Sequence, residues 1–496
     1  MANRTKGPKK KGASKRRKKG AAPASTPLQP VEAEALIEDA PGQTLPFPVV
    51  CVGASAGGLE AFTQLLQALP LDTGMAFVLV SHLSPTHASH LADILSRATK
   101  LPVSEVRDEA AVGPDRVYVI PPDRSMIISQ GVIKLRPRLE VRGVHHPIDE
   151  FLQSLAEDQG HKSIGVILSG TANDGTLGLE EIKAQGGITF AQDNTAQYDG
   201  MPRSAVLAGC VDFVLPPAAI ARELARIARH PYVTRTDGPE SSDALTRDER
   251  QHFVKILQLL NIRMGVDFTE YKANTLQRRV RRRMALHRIE LLKDYAQYLH
   301  ARPPELDSLY QDILITVTSF FRNPEAFEVL RDRIFPKLVA ERNTKDPLRV
   351  WVLGCSTGEE AYSIAITFAE FMEESGGAIP IQIFATDVNG ATIEKARAGT
   401  YPKTVAEHIS PERLRRHFAE VDGHYRVAKP IREMCIFARH NGLSDPPFSR
   451  VDLISCRNLL IYLEPRTQNK LLPTLHFALK PHGVLWLGSS ESIGVL

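Results

Sequence analysis

The sequence predicts an α/β protein with two parallel-sheet domains and an all-α module between them. In both halves of the chain, short apolar runs rich in β-branched residues alternate with helical patterns, which is typical of strands buried on both faces of a parallel sheet. Between the halves, residues 247–314 show helical spacing alone, with Phe253 and Leu260 on one face. A chain of 496 residues, 43% of them hydrophobic, is long enough for two or three such domains.

The positive charge of the chain is concentrated at its N-terminus. The first twenty residues hold ten Lys and Arg and no acid, so the net charge of +4 hides a mildly acidic remainder. Because this segment lacks the apolar run of a signal peptide, we expect residues 1–45 to form a disordered basic tail. A solvated tail is the simplest interpretation, and binding to nucleic acid or to an anionic membrane surface is the alternative.

The cysteines and the apolar runs limit the class of protein. Five cysteines include no C-x-x-C pair, and several stand in apolar runs, so we expect reduced, buried thiols and no bound metal. No apolar run is long enough to cross a bilayer. The sequence therefore predicts a soluble, cytoplasmic protein.

Apolar runs predict the strands of each sheet in chain order. In the first domain, predicted over residues 46–232, the runs lie at 48–52, 75–80, 116–120, 164–168 and 187–191. A polar stretch predicts a linker at 233–246, before the helical module at 247–314. In the last domain, predicted over 315–496, the runs lie at 349–353, 382–386, 451–455 and 483–487. Further runs at 425–428 and 435–438 predict a small β insert near 400–435.

A serine between glycines directly follows the first predicted strand. Residues 53–58 read GASAGG and precede a helical pattern, where a nucleophile elbow would stand and a helix N-terminus offers N–H groups to an oxyanion. A serine hydroxyl needs a base, and His82 follows the second predicted strand. Adjacent parallel strands end at the same edge of a sheet, so we expect His82 to face Ser55. Asp174, in a turn-rich loop after another strand, is the candidate acid that orients the imidazole.

Other interpretations of the serine turn stay open on these residues. The pattern G-x-S-x-G alone is weak, and the loop is also compatible with an imperfect dinucleotide turn. A single histidine such as His82 is more typical of a structural residue. The catalytic interpretation is favoured here because three residues at strand ends converge. The chain order Ser, His, Asp differs from the order of the α/β-hydrolase fold, so we do not expect that fold.

Five segments of this half together resemble the catalytic domain of the chemotaxis receptor methylesterases (CheB-like). They are VGASAGG at 52–58, SHL at 81–83, RVYVIPP at 116–122, GVILSGTANDG at 165–175 and DGMPR at 199–203. The resemblance implies a three-layer domain in which Ser55 is the nucleophile, His82 the general base and Asp174 its orienting acid. It implies a receptor glutamate methyl ester as substrate, with glutamine deamidation as a related activity. Ala56 and Thr171 depart from the family pattern.

A second glycine turn follows the first strand of the last domain. Residues 349–366 read as strand, turn and helix around Gly354, a geometry that brings backbone close to a small ligand. The turn lacks a Walker lysine, and the acidic pair Glu359 and Glu360 suits a cationic sulfonium better than a pyrophosphate. S-adenosylmethionine fits those charges, and Asp387 after the next strand is placed to accept hydrogen bonds from ribose hydroxyls. Alternatively, both glutamates only cap a helix N-terminus.

Further segments resemble the chemotaxis receptor glutamate methyltransferases (CheR-like) over residues 247–496. They are ITVTSFFRN at 315–323, HNGLSDPPF at 440–448, ISCRNLLIY at 454–462 and LGSSE at 487–491. The resemblance implies a Rossmann-like domain that binds S-adenosylmethionine. By position, it implies cofactor contacts from Thr316, Thr318, Arg322, Glu359, Asp387, Asn441, Gly442, Asn458 and Leu459. It also implies Arg322 and Tyr462 as helpers at the reaction centre.

An arginine-rich helix predicts a docking surface. Residues 275–288 carry six arginines in an otherwise mildly acidic body, so we expect an acidic helical partner between Arg278 and Arg288. A Glu-rich cytoplasmic helix of a chemoreceptor-like protein fits that description. A solvated or RNA-binding helix is the alternative, although we expect no nucleic-acid partner.

The hypothesis is a fused receptor methylesterase and glutamate methyltransferase in the cytoplasm, recruited to membrane receptor arrays. The alternative is a signalling scaffold that binds receptors with one or both sites inactive. About 45 residues precede the first predicted strand, so we expect no receiver domain there. The abrupt end after the LGSSE motif predicts that this is the front part of a longer protein.

Overall fold

The computed structural model describes residues 45–83, 89–138, 145–234, 245–314, 317–340 and 346–493. Almost all of the predicted basic tail, most of the predicted linker and Thr316 lie outside these residues. Among the helices of the described ranges, none combines the length and the apolar composition needed to cross a bilayer.

The N-terminal half is built on a parallel sheet with a small antiparallel sheet beside it. The strands are β1 (Val49–Ala54), β2 (Ala76–Ser81), β3 (Val103–Glu105), β4 (Ala110–Ala111), β5 (Arg116–Val119), β6 (Arg124–Ser129), β7 (Val132–Pro137), β8 (Ser163–Ile167), β9 (Ile188–Gln192) and β10 (Phe213–Leu215). The parallel sheet has the order β10-β9-β8-β1-β2-β5-β3, and β4-β7-β6 form the small one. All five predicted strands are present. The edge strands β3 and β10 were not predicted, because each has only three residues.

Helices cover both faces of this parallel sheet. They are α1 (Gly58–Ala68), α2 (Leu91–Ser96), α3 (Pro147–Gln159), α4 (Thr176–Ala184), α5 (Gly200–Ala208), α6 (Pro217–Ile227) and α7 (Pro231–Thr234). One apolar layer packs α1 and α6 against the sheet, and a second packs α3 and α4 against the other face. These three layers confirm the predicted fold of this half.

The middle of the chain is a helical module with its own core. Its helices are α8 (Arg247–Met264), α9 (Ala273–Leu286), α10 (Leu292–Ala301) and α11 (Pro303–Ile313). A capping box starts α8, where Thr246 Oγ1 accepts from the N–H of Glu249 and the Glu249 carboxylate accepts from the N–H of Thr246. The apolar faces meet around Phe253, Leu260 and Tyr295, as the helical spacing predicts.

The C-terminal half contains a second parallel sheet. Its strands are β11 (Leu348–Leu353), β12 (Ile381–Asp387), β13 (Thr400–Pro402), β14 (Phe418–Val421), β15 (His424–Val427), β16 (Cys435–Arg439), β17 (Val451–Cys456) and β18 (Leu479–Leu487). Its helices are α12 (Pro324–Val329), α13 (Phe335–Val339), α14 (Glu359–Glu374), α15 (Gly390–Ala398), α16 (Pro411–His417), α17 (Lys429–Glu433) and α18 (Pro465–Ala478). The parallel order is β16-β12-β11-β17-β18, and β13-β15-β14 form a small antiparallel sheet.

One strand of the predicted β insert belongs to the main sheet instead. The assignment of residues 435–438 to the insert is wrong, because β16 pairs in parallel with β12, with Ile383 opposite Cys435. An apolar run predicts a strand, but it does not show which sheet the strand joins.

The arginine-rich helix α9 packs against the N-terminal half of the chain. Arg282 is fully buried, and its guanidinium donates to Asp212 at 2.5 Å and to Asp312 at 2.7 Å. Its Nε also donates to the carbonyl oxygen of Gly187 at 2.9 Å. Asp212 stands directly before β10 in the N-terminal half and Asp312 lies on α11, so this guanidinium joins the two parts of the chain.

The prediction that these arginines receive an acidic partner is therefore wrong for most of the helix. Besides Arg282, Arg283 pairs with Glu305 at 2.5 Å, and Arg288 pairs with Glu223 at 3.1 Å. The charge pattern correctly indicates that acidic groups face the helix, but the chain itself supplies them. Arg282 is buried and Arg283 is mostly buried, which excludes a solvated or RNA-binding surface at these two residues, whereas Arg288 is mostly exposed.

Replacing the buried arginine should loosen the contact between the halves. Arg282→Ala leaves the carboxylates of Asp212 and Asp312 buried without their partner, and breaking a buried pair costs about 3–5 kcal/mol. The matched control is Arg263→Ala, which removes a solvent-exposed pair with Asp307 and should leave the unfolding midpoint almost unchanged. Urea unfolding measures both. Equal midpoints for the two variants would contradict the role of Arg282.

Candidate functional site

Ser55 and His82 follow paired positions on adjacent strands. β1 and β2 run parallel with Ala54 opposite Ser81, so the next residue of each strand leaves the sheet at the same edge. Ser55 stands on the turn into α1, and its N–H donates to the carbonyl of Ser169 at 2.9 Å. This bond ties the serine turn to the loop that follows β8.

Two glycines make room for this turn. Gly57 has a φ of +74°, and a Cβ on it would lie 2.6 Å from the hydroxyl oxygen of Ser169. A Cβ on Gly170 would lie 2.1 Å from the sulfur of Met201 and 3.1 Å from the Cβ of Ser55. The loop that leads to Asp174 therefore packs directly on the serine turn.

Asp174 is the fixed point of this site. Its Oδ2 lies 2.9 Å from Nε2 of His82, and the N-terminus of α3 donates to its two oxygens through the N–H groups of Ile148 and Asp149 at 3.1 and 2.9 Å. Burial favours the neutral acid, but the neighbouring His146 and His82 and the Asp149 N–H favour the charged form and outweigh it, so the pKa of Asp174 lies well below its usual range. The carboxylate is therefore ionised and suited to hold an imidazolium.

The start of α3 was not predicted as part of this site. Nδ1 of His146 lies 3.7 Å from Oδ1 of Asp174, and Asp149 accepts from the N–H of Gly178 at 2.7 Å. The ligand-type atoms of His146, Asp149 and Asp174 lie within 4.8 Å of one another. The His146 and Asp149 side chains thus pack around Asp174, and Asp149 ties the start of α3 to α4 through Gly178. The sequence signal was the run HHPID at 145–149, a proline-initiated helix preceded by two histidines.

Asp387 holds the second glycine turn. β11 and β12 run parallel with Leu353 opposite Thr386, which places Gly354 beside Asp387 at the carboxyl edge of the sheet. The Asp387 carboxylate accepts from the N–H of Ser356 at 2.9 Å and from the N–H two residues beyond itself at 2.8 Å. Burial raises the pKa of Asp387, and these N–H donors oppose the shift. Asp387 thus shapes the turn as well as any ligand site beside it.

A cavity of about 180 Å³ opens over this turn. Its wall contains Gly354 and Ser356 of the turn together with four residues predicted from the sequence, namely Thr318, Arg322, Asn458 and Tyr462. The predicted residues outside that wall are Glu359, Asp387, Asn441, Gly442 and Leu459. Thr316 is not among the described residues.

The two glutamates that begin α14 have different surroundings. Glu360 lines the cavity, where its carboxylate accepts from the Ser455 hydroxyl at 2.7 Å and pairs with Arg457 at 3.0 Å. Glu359 is buried and accepts from the Thr357 hydroxyl. Burial raises the pKa of Glu359 to about 7. Of the acidic pair, Glu360 is the residue that can face a cationic ligand.

Glu491 and Arg457 orient the turn that carries Asn458. Glu491 accepts from the N–H groups of Asn458 and Leu459, both at 2.8 Å. Arg457 and Glu360 form a direct ion pair in the cavity wall. The guanidinium carbon of Arg457 lies 4.5 Å from the centre of the Trp486 ring. Both residues stand inside the motifs at 454–462 and 487–491, but neither was predicted as a site residue, because spacing does not show which backbone groups they hold.

Asn441 and Gly442 follow β16 at the same edge of the sheet. The side-chain oxygen of Asn441 accepts from the N–H of Leu443 at 3.0 Å. A Cβ on Gly442 would lie 2.6 Å from the side chain of Leu353. These contacts fix the loop next to the cofactor turn.

The N-terminal half also contributes to the cavity. Glu181, Ala184, Gln185 and Gly186, at the end of α4 and in the turn before β9, line it together with Arg278 and Arg279 of α9. No sequence pattern predicts this, because it depends on how the halves dock.

Three family models match consecutive parts of the chain. They are "CheB methylesterase" at 50–224, "CheR methyltransferase, all-alpha domain" at 251–314 and "CheR methyltransferase, SAM binding domain" at 316–495. A chemotaxis protein methyltransferase of Listeria innocua is 31% identical over 246 residues, which cover 50% of this chain and 92% of that protein. The chain belongs to the CheR methyltransferase family. In this CheR protein, a CheB-type methylesterase domain is fused ahead of the methyltransferase domains.

Other relatives match one or both parts of the fusion. An uncharacterized 104.1 kDa protein of Rhodobacter capsulatus is 39% identical over 421 residues, or 81% of this chain, and the match spans 44% of that relative's length. Chemotaxis protein methyltransferase 1 of Pseudomonas aeruginosa is 33% identical and covers 47% of this chain and 86% of its own. The crystal structure of the Thermotoga maritima CheB methylesterase catalytic domain is 31% identical, with a TM-score of 0.35, and covers 36% of this chain and 98% of that one.

S-adenosylmethionine is the cofactor of the CheR domain, and the residues around the cavity suit it. Glu360 and Asp387 bring negative charge to the turn. That charge suits a cofactor with a sulfonium cation and with ribose hydroxyl donors. Gly354, with a φ of +73°, presents its backbone without a side chain at the same point.

Glu359 predicts a pH-dependent stability for the fold around this cavity. The pKa of a glutamate in an unfolded chain is about 4.3, whereas burial raises the pKa of Glu359 to about 7. The contribution of Glu359 to the free energy of unfolding is therefore fully present below the unfolded pKa and is lost as the pH rises through the folded one. Thr357, Glu180 and Lys395 are the polar groups that act on it. We expect Glu359→Gln to raise the thermal midpoint relative to wild type at pH 8, with the difference closing at pH 5.

The control for this prediction is Glu374→Gln. Glu374 stands on the same helix at its exposed end. Its substitution should leave the pH profile of the midpoint unchanged, and a difference for Glu359→Gln that persists unchanged at pH 5 would contradict the titration of Glu359.

Proposed function

We propose that this protein both removes and adds methyl groups on receptor glutamates. The CheB-type domain would hydrolyse glutamate methyl esters at Ser55, and the CheR domain would methylate glutamates with S-adenosylmethionine at the cavity over Gly354. The contact between Asp174 and His82 at 2.9 Å beside the serine turn supports the first activity. The match of both halves to the two families supports cytoplasmic helices of chemoreceptor-like proteins as the substrate.

The esterase reaction starts at the Ser55 hydroxyl. Because Nε2 of His82 faces Asp174, Nδ1 is the nitrogen that takes the serine proton as the oxygen attacks the ester carbonyl. The Asp174 carboxylate stabilises the imidazolium that results. His82 then returns the proton to the departing methoxide, which leaves as methanol.

The acyl-serine left by this step is removed by water. His82 takes a proton from the attacking water, the bond between the acyl carbon and the Ser55 oxygen breaks, and His82 returns the proton to that oxygen as the glutamate is freed. A glutamine amide at the same place would follow the same course and release ammonia. Deamidation is therefore a second reaction of the same residues.

The methyltransferase reaction depends on placement. Bound S-adenosylmethionine would supply an electrophilic methyl group on a sulfonium. The acceptor glutamate is ionised at neutral pH, so its carboxylate attacks without a base and no proton moves. Thr318, Asn458 and the Gly354 turn would hold the cofactor, with Asp387 and Glu359 behind them.

Arg322 and Tyr462 are the groups that would orient the acceptor. Both line the cavity, and a guanidinium can bind a carboxylate through two hydrogen bonds. Burial raises the pKa of Tyr462, and Arg279 and Arg322 oppose the shift. The phenol therefore stays protonated at neutral pH and can donate to the acceptor carboxylate.

The esterase assignment predicts that the wild-type protein releases methanol from a premethylated receptor fragment and that substitutions in the Ser55 site slow this release. Ser55→Ala removes the nucleophile and Asp174→Asn removes the charge that holds the imidazolium, so each should slow hydrolysis by about 10⁴-fold. Ser96→Ala, an exposed serine on α2, should have no effect. Hydrolysis by Ser55→Ala at the wild-type rate would place the nucleophile elsewhere.

The transferase assignment predicts that the Ser55→Ala variant adds methyl groups to an unmethylated receptor fragment. Mass spectrometry of the fragment measures this gain. Asp387→Asn replaces one N–H acceptor by a donor, so we expect cofactor affinity by calorimetry to fall by about tenfold or more. Asp422→Asn is the control, because Asp422 is exposed in a turn at a φ of +49° that asparagine also adopts. Receptor binding without methyl gain or loss would favour the signalling scaffold.

A further inference from the structure

The end of the esterase helix α4 forms part of the wall of the methyltransferase cavity. Glu181 and Gln185 line it together with Arg322 and Tyr462, the residues assigned above to the acceptor side. Gln185 donates from its amide to Glu181 Oε1 at 3.1 Å, which holds the carboxylate in place along the helix. A residue of the CheB-type domain thus faces the reaction centre of the CheR domain.

Several contacts fix this helix end over the cavity. Arg279 of α9 donates to the carbonyl oxygen of Lys183 at 2.9 Å and to that of Ala184. The Tyr232 hydroxyl donates to the carbonyl of Gly186 at 2.5 Å. These carbonyls belong to the last turn of α4 and the turn that follows, where helix carbonyls have no partner within the helix. The docking of the two domains therefore sets the position of Glu181.

Glu181 brings negative charge to a cavity lined by arginines. Arg278 and Arg322 line the same wall, and a carboxylate acceptor would be attracted to that charge. Burial raises the pKa of Tyr462, Arg279 and Arg322 lower it, and Glu181 raises it further. Glu181 therefore acts on the same hydroxyl that would meet the acceptor.

This arrangement matches the chemistry of the proposed substrate. The acceptor is a glutamate on a helix, and Glu181 is a glutamate on a helix in the same cavity. The arginine-rich helix α9, which the sequence pairs with an acidic helical partner, meets α4 of its own chain there.

We propose that Glu181 is an internal competitor of the receptor glutamate. Its carboxylate occupies the acceptor side of the cavity and weakens binding of the incoming carboxylate while the two domains are docked. The proposal rests on methyl transfer at this cavity. It makes a residue of the CheB-type domain a determinant of acceptor affinity in the CheR domain.

The test compares Glu181→Gln with wild type, both in the Ser55→Ala background. The amide keeps the shape of the side chain and removes its charge. We expect the KM for a receptor fragment to fall by about fivefold with kcat unchanged, since only acceptor binding is affected. Fluorescence anisotropy without cofactor should show a similar gain in affinity for the labelled fragment.

The chain offers a matched control in Glu60→Gln. On α1, Gln64 donates to Glu60 at 3.1 Å with the same spacing of four residues, and Glu60 is exposed and does not line the cavity. This variant should match wild type in both assays. A general effect of removing one negative charge from the domain would change both variants equally and would overturn the proposal.

Two further results would also overturn it. One is an unchanged or weaker affinity of Glu181→Gln for the fragment. The other is a methyl ester on Glu181 after incubation with S-adenosylmethionine, because the residue would then be an acceptor and not a competitor. If no variant methylates the fragment, the transferase assignment fails, and the anisotropy comparison still decides whether Glu181 competes.

Discussion

One buried guanidinium joins the two halves of the chain, together with the contacts of Arg279 and Arg288. Arg282 has no solvent exposure, and a buried charge is tolerated only when its partners replace the lost hydration. Asp212 from the CheB-type domain, Asp312 from the helical module and the Gly187 carbonyl together supply those partners. Because the three groups come from both sides of the contact, this arginine is satisfied only when the domains are docked.

This docking brings the Asp174 loop close to the cavity over Gly354. α4 begins directly after the loop that carries Asp174 and ends at the wall of the methyltransferase cavity with Glu181. Its nine residues span about 13 Å at the rise of an α-helix. One helix therefore joins the loop of Asp174 to the wall of the cavity over Gly354.

Both sites fix their carboxylates in the same way. Asp174 accepts from the N-terminus of α3, Asp387 from the glycine turn, and Glu491 from the turn at Asn458. In each case backbone N–H groups hold an acid at the carboxyl edge of a sheet. Hydrogen bonds from backbone N–H groups to a carboxylate are stronger than neutral ones, so these acids also hold the loops around the sites.

The sequence by itself determined the fold class, the central strands of both parallel sheets, and that Ser55 and His82 follow adjacent strands. Buried parallel strands leave continuous apolar runs, and residues after adjacent strands must meet at one edge. It did not separate Glu359 from Glu360, because consecutive residues on a helix point about 100° apart and only packing shows which one is buried. Nor did it place the partners of Arg282, which stand 70 and 30 residues away. A run of arginines shows that acidic groups are needed, and only the tertiary structure decided that this chain provides them.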